Sequence, residues 1–491
     1  MNENLKRKIE EKLGKNQLFY VCRDIERAEG LLPSTETPYQ SATGQASHEI
    51  NIITNSSPYS LELKEKFPNN IILINKDKQL DTWEILKICS NDNTSPIPIR
   101  YGASLPLLKE GIPKIKQNDL VMVFKNTKKI EQICKENDWN LINPPAKLAN
   151  EAEEKISQIE WLGDLKKYLP GYVVKEVKDI EFPTSSVDKT DKKFIIQFNH
   201  SHTGSGTILI ESNEQLEKLK EKFPNREARI AKYIKGPLLT NNNIIWSDKI
   251  LMGNISYQIT GLSPFTTNQF AGIGNDWKLS DKILNEKQLE DYKKIVHEVG
   301  QNFIKYDWKG LFGIDIVVDE KTGQLYLLEI NARQPASTSC ESWLQNKKRS
   351  FAGAQDDSGV AQNDPSTTST DVSGYGASIS TLTTFDAHLM ALLEIPYENE
   401  EIREISDGAQ VILRKRDNTS LTLLKEGINT SHIFEKGINK KELEKDFKVI
   451  EYSNPKPNAD YLRIESKESL TNKHNSFNNL GEKIIKTITK L

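Results

Sequence analysis

The spacing of hydrophobic and polar positions changes repeatedly over the first 150 residues. Short β-rich runs (QLFYVCR, INIITN, NIILIN and DLVMVFK) alternate with the helically spaced stretches TWEILKICSN and TKKIEQICKEN. This alternation predicts parallel βαβ units, an α/β domain over 1–150. No GxGxxG follows these runs, so the domain reads as a scaffold that helps form a cleft, without a dinucleotide site. In EAEEKISQIEWLGDLKKYLP, Ile156, Ile159, Leu162 and Leu165 share one helical face, which predicts a single amphipathic helix ended by Pro170 and Gly171. FIIQF, TILI, NEQLEKLKEKF and ARIAKYI then predict two strands, a helix and a strand, an α+β unit over 151–236 closed by Gly236. In the following unit, 237–400, Leu289, Tyr292, Val296, Val299 and Phe303 predict a helix over 286–306, followed by a hairpin of GIDIVVD and LYLLEIN. Residues 345–378 are rich in Ser, Thr, Gly, Asp and Gln without a period and are expected to lack structure. Helical spacing returns in FDAHLMALLEI, and 401–491 reads as a small mixed β and α appendage.

The length, 491 residues, allows about three domains at roughly 150 residues each. A net charge of −3, from 66 basic and 69 acidic residues, supplies no global field for nucleic acid or an anionic membrane, so an anionic ligand needs a local site. Cys22, Cys89, Cys134 and Cys340 are scattered with no CxxC, which argues against a disulfide framework or a thiolate zinc site. The absence of an apolar leader, and of any apolar run long enough to span a bilayer, predicts a cytoplasmic protein.

The hairpin carries the chemistry. Asp315, Glu329 and Asn331 interrupt strands otherwise made of Val, Ile, Leu and Tyr, and charged side chains are rarely buried without a partner. Alternation places Leu325, Leu327, Glu329 and Asn331 on one face, with Asp315 and Val317 on one face of the other strand. A three-residue loop, Lys321 to Gly323, sets Asp315 opposite Glu329. Two acids and an amide oxygen suit Mg2+, whose remaining positions go to water and phosphate; a hairpin face that merely meets water is the alternative. Arg333 should lie near the same face, able to grip a carboxylate or phosphate in a fork. In QFNHSHTGSGTILI, Gly204, Ser205 and Gly206 form a hairpin tip whose backbone N–H groups can approach phosphates, or else a plain turn. His200 and His202 lack a third ligand for zinc and read as polar residues of that tip.

Taken in order, HTGSGT, Asp315 in GID, and Glu329 with Asn331 in EINAR resemble the ATP-grasp superfamily over roughly 100–400. The resemblance implies an α+β ATP-grasp fold preceded by an α/β pre-ATP-grasp domain, with ATP clamped between two subdomains and Mg2+ on Asp315, Glu329 and Asn331. It implies phosphate contacts from Lys155 and from the Gly-rich tip through Thr207, and an adenine hinge at Lys232 and Ile234. Gln197 stands where the family usually has a second phosphate lysine. The activity implied is an ATP- and Mg-dependent ligase joining a small-molecule carboxylate to an amine through an acyl phosphate, with Arg333 holding the acyl phosphate. A small-molecule kinase and a non-catalytic nucleotide-binding module are the alternatives. Substrate contacts are expected from Ser337, Thr338 and Gln258 and from the N-terminal domain.

Overall fold

The computed structural model describes residues 3–32, 50–74, 78–90, 114–183, 192–199, 206–266, 268–352, 380–414, 440–452 and 459–489. Five parallel strands, β1 (Leu18–Val21), β2 (Asn51–Asn55), β3 (Ile71–Ile74), β4 (Leu120–Met122) and β5 (Asn140–Leu141), form the first sheet in the order β3-β2-β1-β4-β5. Its central strand is buried on both sides, because Leu18 and Tyr20 enter one core and Phe19 and Val21 another. The first of these cores also holds Trp246, Leu311 and Phe385, so the N-terminal sheet is docked on the rest of the chain through apolar side chains.

The predicted α+β unit is a four-stranded antiparallel sheet in the order β6-β9-β7-β8, from β6 (Tyr172–Glu176), β7 (Phe194–Phe198), β8 (Thr207–Ile210) and β9 (Glu227–Lys232). The helix Asn213–Lys222, capped by Ser212, buries Leu216 and Leu219 against it. The edge strand β6 escapes the sequence reading because its only apolar run is the three residues Tyr172 to Val174, and all its residues stay half-buried or exposed.

The single helix expected from residue 151 is broken. A helix Ala146–Glu153 stops at Glu154, whose backbone is extended, and a short helix Ser157–Leu162 follows. Side chains hold the break open. Gln158 Nε2 donates to Ala152 O at 2.7 Å, and Asn199 both donates to Glu154 at 2.8 Å and accepts from the Ile156 N–H at 2.9 Å. Lys155 sits at this break and turns inward, 7% exposed.

The third sheet has nine strands in the order β15-β14-β10-β12-β13-β18-β20-β19, with β11 attached to β10. They are β10 (Leu238–Trp246), β11 (Lys249–Leu251), β12 (Ser256–Thr260), β13 (Gly272–Asp276), β14 (Gly310–Val318), β15 (Leu325–Asn331), β18 (Ala409–Arg414), β19 (Lys448–Glu451) and β20 (Asp460–Ser466); a separate pair is β16 (Thr381–Leu382) with β17 (Glu401–Ile402). The C-terminal residues therefore extend the sheet that carries the hairpin. The helix Glu286–Lys305 packs Tyr292, Val296, Val299 and Phe303 beneath it, as the spacing predicts; Ile295 joins them, while Leu289, expected on the same face, stays outside that core. Strand β10 is hidden in sequence by Asn241, Asn242 and Asn243, all buried and hydrogen-bonded.

The helix Thr338–Ala352 takes up the first residues of the stretch 345–378 expected to lack structure; the rest of that stretch lies outside the described residues. All four cysteines are free and buried. No helix among the described residues is long and apolar enough to cross a membrane.

Gly236 joins the second sheet to the third. A Cβ there would lie 1.8 Å from Val318 O, and the neighbouring backbone is stapled by Val318 N–H to Pro237 O at 3.0 Å and Glu320 N–H to Lys235 O at 2.9 Å. Gly236→Ala is therefore expected to destabilise the protein by about 3 kcal/mol, read as a lower denaturation midpoint, since the clashing atom is backbone and cannot rotate away.

Candidate functional site

The hairpin reaches the expected pairing by another route. Asp319 N–H donates to Gln324 O, so four residues and not three close the turn, with Gly323 at φ +72°. That register alone would place Asp315 opposite Leu328. A β-bulge between Leu327 and Glu329 inserts one residue and restores Asp315 opposite Glu329. It also reverses sidedness: Leu325 and Leu327 enter the core before the bulge and Ile330 after it. The expected shared face of Leu325, Leu327, Glu329 and Asn331 is thus corrected, because Glu329 and Asn331 point away from that core, toward the cleft.

Asp315 is 8% exposed and hydrogen-bonds the Thr240 hydroxyl across β10. Burial, and then the facing Glu329 carboxylate, push its carboxyl up to about 6. Burial would raise Glu329 as well, but the Lys155 ammonium and the Arg333 guanidinium outweigh it and hold Glu329 below the usual carboxylate range. Lys155 Nζ lies 3.2 Å from Glu329 Oε1, and burial lowers its pKa against that attraction. An ammonium has three donors, so this contact leaves capacity for a further acceptor. Asn331 stands beside the acids, opposite Gly313.

This donor set fits a hard divalent cation: two adjacent carboxylates, one of which resists ionisation beside the other, and a nearby amide oxygen. Among the described residues no group of three His, Cys, Asp or Glu side chains is placed to hold a metal, so such an ion would take its remaining ligands from water and phosphate.

Between the second and third sheets lies a cavity of about 380 Å3. Four of the residues expected at a nucleotide, Gln197, Thr207, Lys232 and Ile234, line it, together with the apolar Leu169, Ile195, Leu262 and Phe270. Ile234 belongs to the connection between β9 and β10, outside either ladder. Gly206 closes the β7–β8 hairpin, where its carbonyl accepts from the Phe198 N–H at 3.1 Å. Gly204, Ser205, His200 and His202 lie outside the described residues.

Arg333 is held by Glu153, whose other carboxylate oxygen takes Lys125 from the N-terminal domain. The guanidinium is thereby oriented toward Glu329 and Asp315, and the N-terminal domain is tied to the site. Ser337 Oγ accepts from Asn242 Nδ2 at 3.1 Å; Thr338 is fully buried at the start of its helix, and its hydroxyl has no hydrogen-bond partner among the described residues. Beyond Thr240 the same sheet face stays polar. Asn275 Nδ2 donates to Ser256 Oγ at 3.0 Å and Gln410 Nε2 to Asn275 Oδ1 at 2.8 Å, with Gln258 paired to Asn275 in register.

Glu341 closes this floor, buried and accepting from Asn242 and from both the backbone and side chain of Asn254. Burial pushes its carboxyl up to about 7. A pKa raised on folding favours the protonated form, so this contribution to stability is present below about 4.5 and is lost as pH rises through 7. Glu341→Gln should therefore raise Tm relative to the parent above pH 7 and not below pH 5, in melts across that range.

Sequence reasoning missed Arg229. It is 3% exposed on β9, directly opposite Gln197 on β7. Its Nε and Nη2 donate to Gln197 Oε1 at 3.0 and 2.7 Å, Nη2 to Leu328 O at 3.3 Å, and Nη1 to Gln158 Oε1 at 3.4 Å. The signal was the one that exposed Asp315: a charge inside an apolar run, here EARIAKYI.

No family model and no curated protein sequence matches this chain. Solved structures do. N5-carboxyaminoimidazole synthetase from Staphylococcus aureus matches at TM-score 0.52 and 10% identity, over 97% of this chain and 98% of that one. L-amino acid ligase from Bacillus licheniformis matches at TM-score 0.50 and 13% identity, over 92% of this chain and 93% of that one. Biotin carboxylase from Campylobacter jejuni matches at TM-score 0.51 and 12% identity, over 92% of this chain and 88% of that one. Over these lengths this chain shares their fold, and its parallel α/β sheet followed by antiparallel sheets is the ATP-grasp fold.

Proposed function

We propose that this protein is an ATP- and Mg-dependent ligase that joins the carboxylate of an amino-acid or peptide-like substrate to an amine through an acyl phosphate. The observation that carries the reading is the pairing of Asp315 with Glu329, beside Asn331 and Lys155, on strands whose neighbouring residues Val317 and Leu328 line the cavity between the two antiparallel sheets. Similar folds are recorded with nucleotide: the S. aureus synthetase with ADP and the C. jejuni carboxylase as a β-γ-ATP complex. The B. licheniformis neighbour is a ligase of L-amino acids, which favours that substrate class here.

The apolar walls at Leu169, Ile195, Leu262 and Phe270 would receive the adenine, with Lys232 and Ile234 at its edge. Asp315, Glu329 and Asn331 would hold Mg2+, which when bound neutralises charge on the terminal phosphates. Lys155 donates to a phosphate oxygen from its buried position. Arg333, fixed by Glu153, orients the substrate carboxylate so that its oxygen attacks the γ-phosphorus as the bond to ADP breaks. The amine then attacks the acyl carbon and phosphate leaves. No side-chain nucleophile is required; positioning and electrostatics carry the rate.

The test is a screen of amino acids and short peptides with Mg-ATP, reading ADP, free phosphate and any conjugate by mass spectrometry. Stoichiometric ADP, phosphate and conjugate, only when carboxylate and amine are both present, is the expected result. A phosphorylated product without free phosphate would make the protein a kinase, and no turnover with any pair would overturn the enzymatic reading.

A further inference from the structure

We propose that Arg229, presented by Gln197 from the adjacent strand, is a phosphate-binding cation of this site, supplying from β9 the charge that position 197 on β7 lacks. The inference rests on the nucleotide reading above and assigns a residue within it.

A buried guanidinium is costly unless its charge is compensated, and Arg229 is compensated only in part. Every hydrogen-bond partner it has among the described residues is neutral: the Gln197 and Gln158 carboxamides and the Leu328 carbonyl. Glu329 attracts it from across the site but does not reach ion-pair distance, and Glu329 already faces Lys155 at 3.2 Å. Arg229 therefore brings a positive charge to the cavity that no carboxylate among the described residues directly neutralises. Among the described residues Nη1 has one partner, Gln158 Oε1, and carries two N–H groups, so a donor remains for a ligand oxygen.

The strand register makes the arrangement specific. Gln197 and Arg229 are direct cross-strand neighbours, so their side chains leave the same face of the sheet and both line the cavity. Gln197 turns its carbonyl oxygen to the guanidinium, which leaves its amide nitrogen toward Thr207 on the hairpin, at 3.5 Å. The pair thus presents a guanidinium donor and an amide donor side by side. Leu328, the residue inserted by the bulge, holds Arg229 through its carbonyl, which couples this cation to the distortion that sets Glu329 opposite Asp315.

The experiment is calorimetric titration of adenosine, ADP and ATP, with Mg2+, into the full chain and its Arg229→Met and Arg229→Lys variants. Arg229→Met should weaken ADP and ATP by about 10- to 100-fold, the range for loss of a hydrogen bond to a charged group, while leaving adenosine unchanged. Arg229→Lys should recover part of the loss, and it serves as the test variant if thermal melting shows that the methionine protein does not fold. Unchanged ADP affinity, or equal loss for adenosine and ADP, would overturn the assignment while the nucleotide reading stood. A parent protein that binds none of the three would overturn both.

Discussion

Replacing Glu329 with alanine is expected to reduce ATP turnover by about a thousandfold, the upper range for removing one preorganised electrostatic contact, while the fold survives. The side chain keeps 41% of its surface exposed, so no core contact is lost. Its removal leaves Asp315 as the sole carboxylate beside Asn331 and deprives the buried Lys155 of its partner at 3.2 Å. Glu329→Gln keeps the shape and removes the charge. Both variants should keep the native fold, with melting lowered by the unpaired charge left on buried Lys155, and release little ADP in the presence of both substrates. Full turnover in Glu329→Gln would mean that the carboxylate pair does not serve the phosphates.

For Gln197 the structure reverses the sign expected from sequence. As a neutral residue at a phosphate-facing strand position, Gln197→Lys should tighten ATP binding. In the folded protein, however, Gln197 Oε1 is the acceptor for two guanidinium bonds of a residue only 3% exposed. A lysine there removes that acceptor and sets a second cation against the first. The expected outcome is a loss of about 2–3 kcal/mol in stability and weaker ATP binding, measured by denaturation and titration. A variant as stable as the parent that bound ATP more tightly would show that Arg229 can move aside, and would return position 197 to the role its place in the chain suggests.

The hydrophobic pattern located the long helix beneath the third sheet, which buries one face and so writes a period of about 3.6, and the N-terminal strands and the acidic hairpin, whose doubly buried strands β1 and β14 show as short apolar runs. It failed where burial is polar or partial. Strand β10 carries three consecutive asparagines; Asn241 and Asn243 bond each other, but their other partners come from β14, from the helix Glu286–Lys305 and from the loop after Arg333, which no local pattern shows. The break that delivers Lys155 is held by Asn199, 45 residues from the Glu154 it binds.

What the sequence determined by itself is the presence of Asp315, Glu329 and Asn331 in apolar strands, and with it the suggestion of a cation, since carboxylates are not placed in such runs without a partner. Their encounter was a tertiary decision. A four-residue turn and a bulge at Leu328 combine to set the two acids opposite each other, and the bulge carries Glu329 to the cleft side. Which cations meet them was decided in the same way. Lys155, Arg229 and Arg333 come from a broken helix, a neighbouring sheet and a loop, and the field in the site depends on distances that no local pattern encodes.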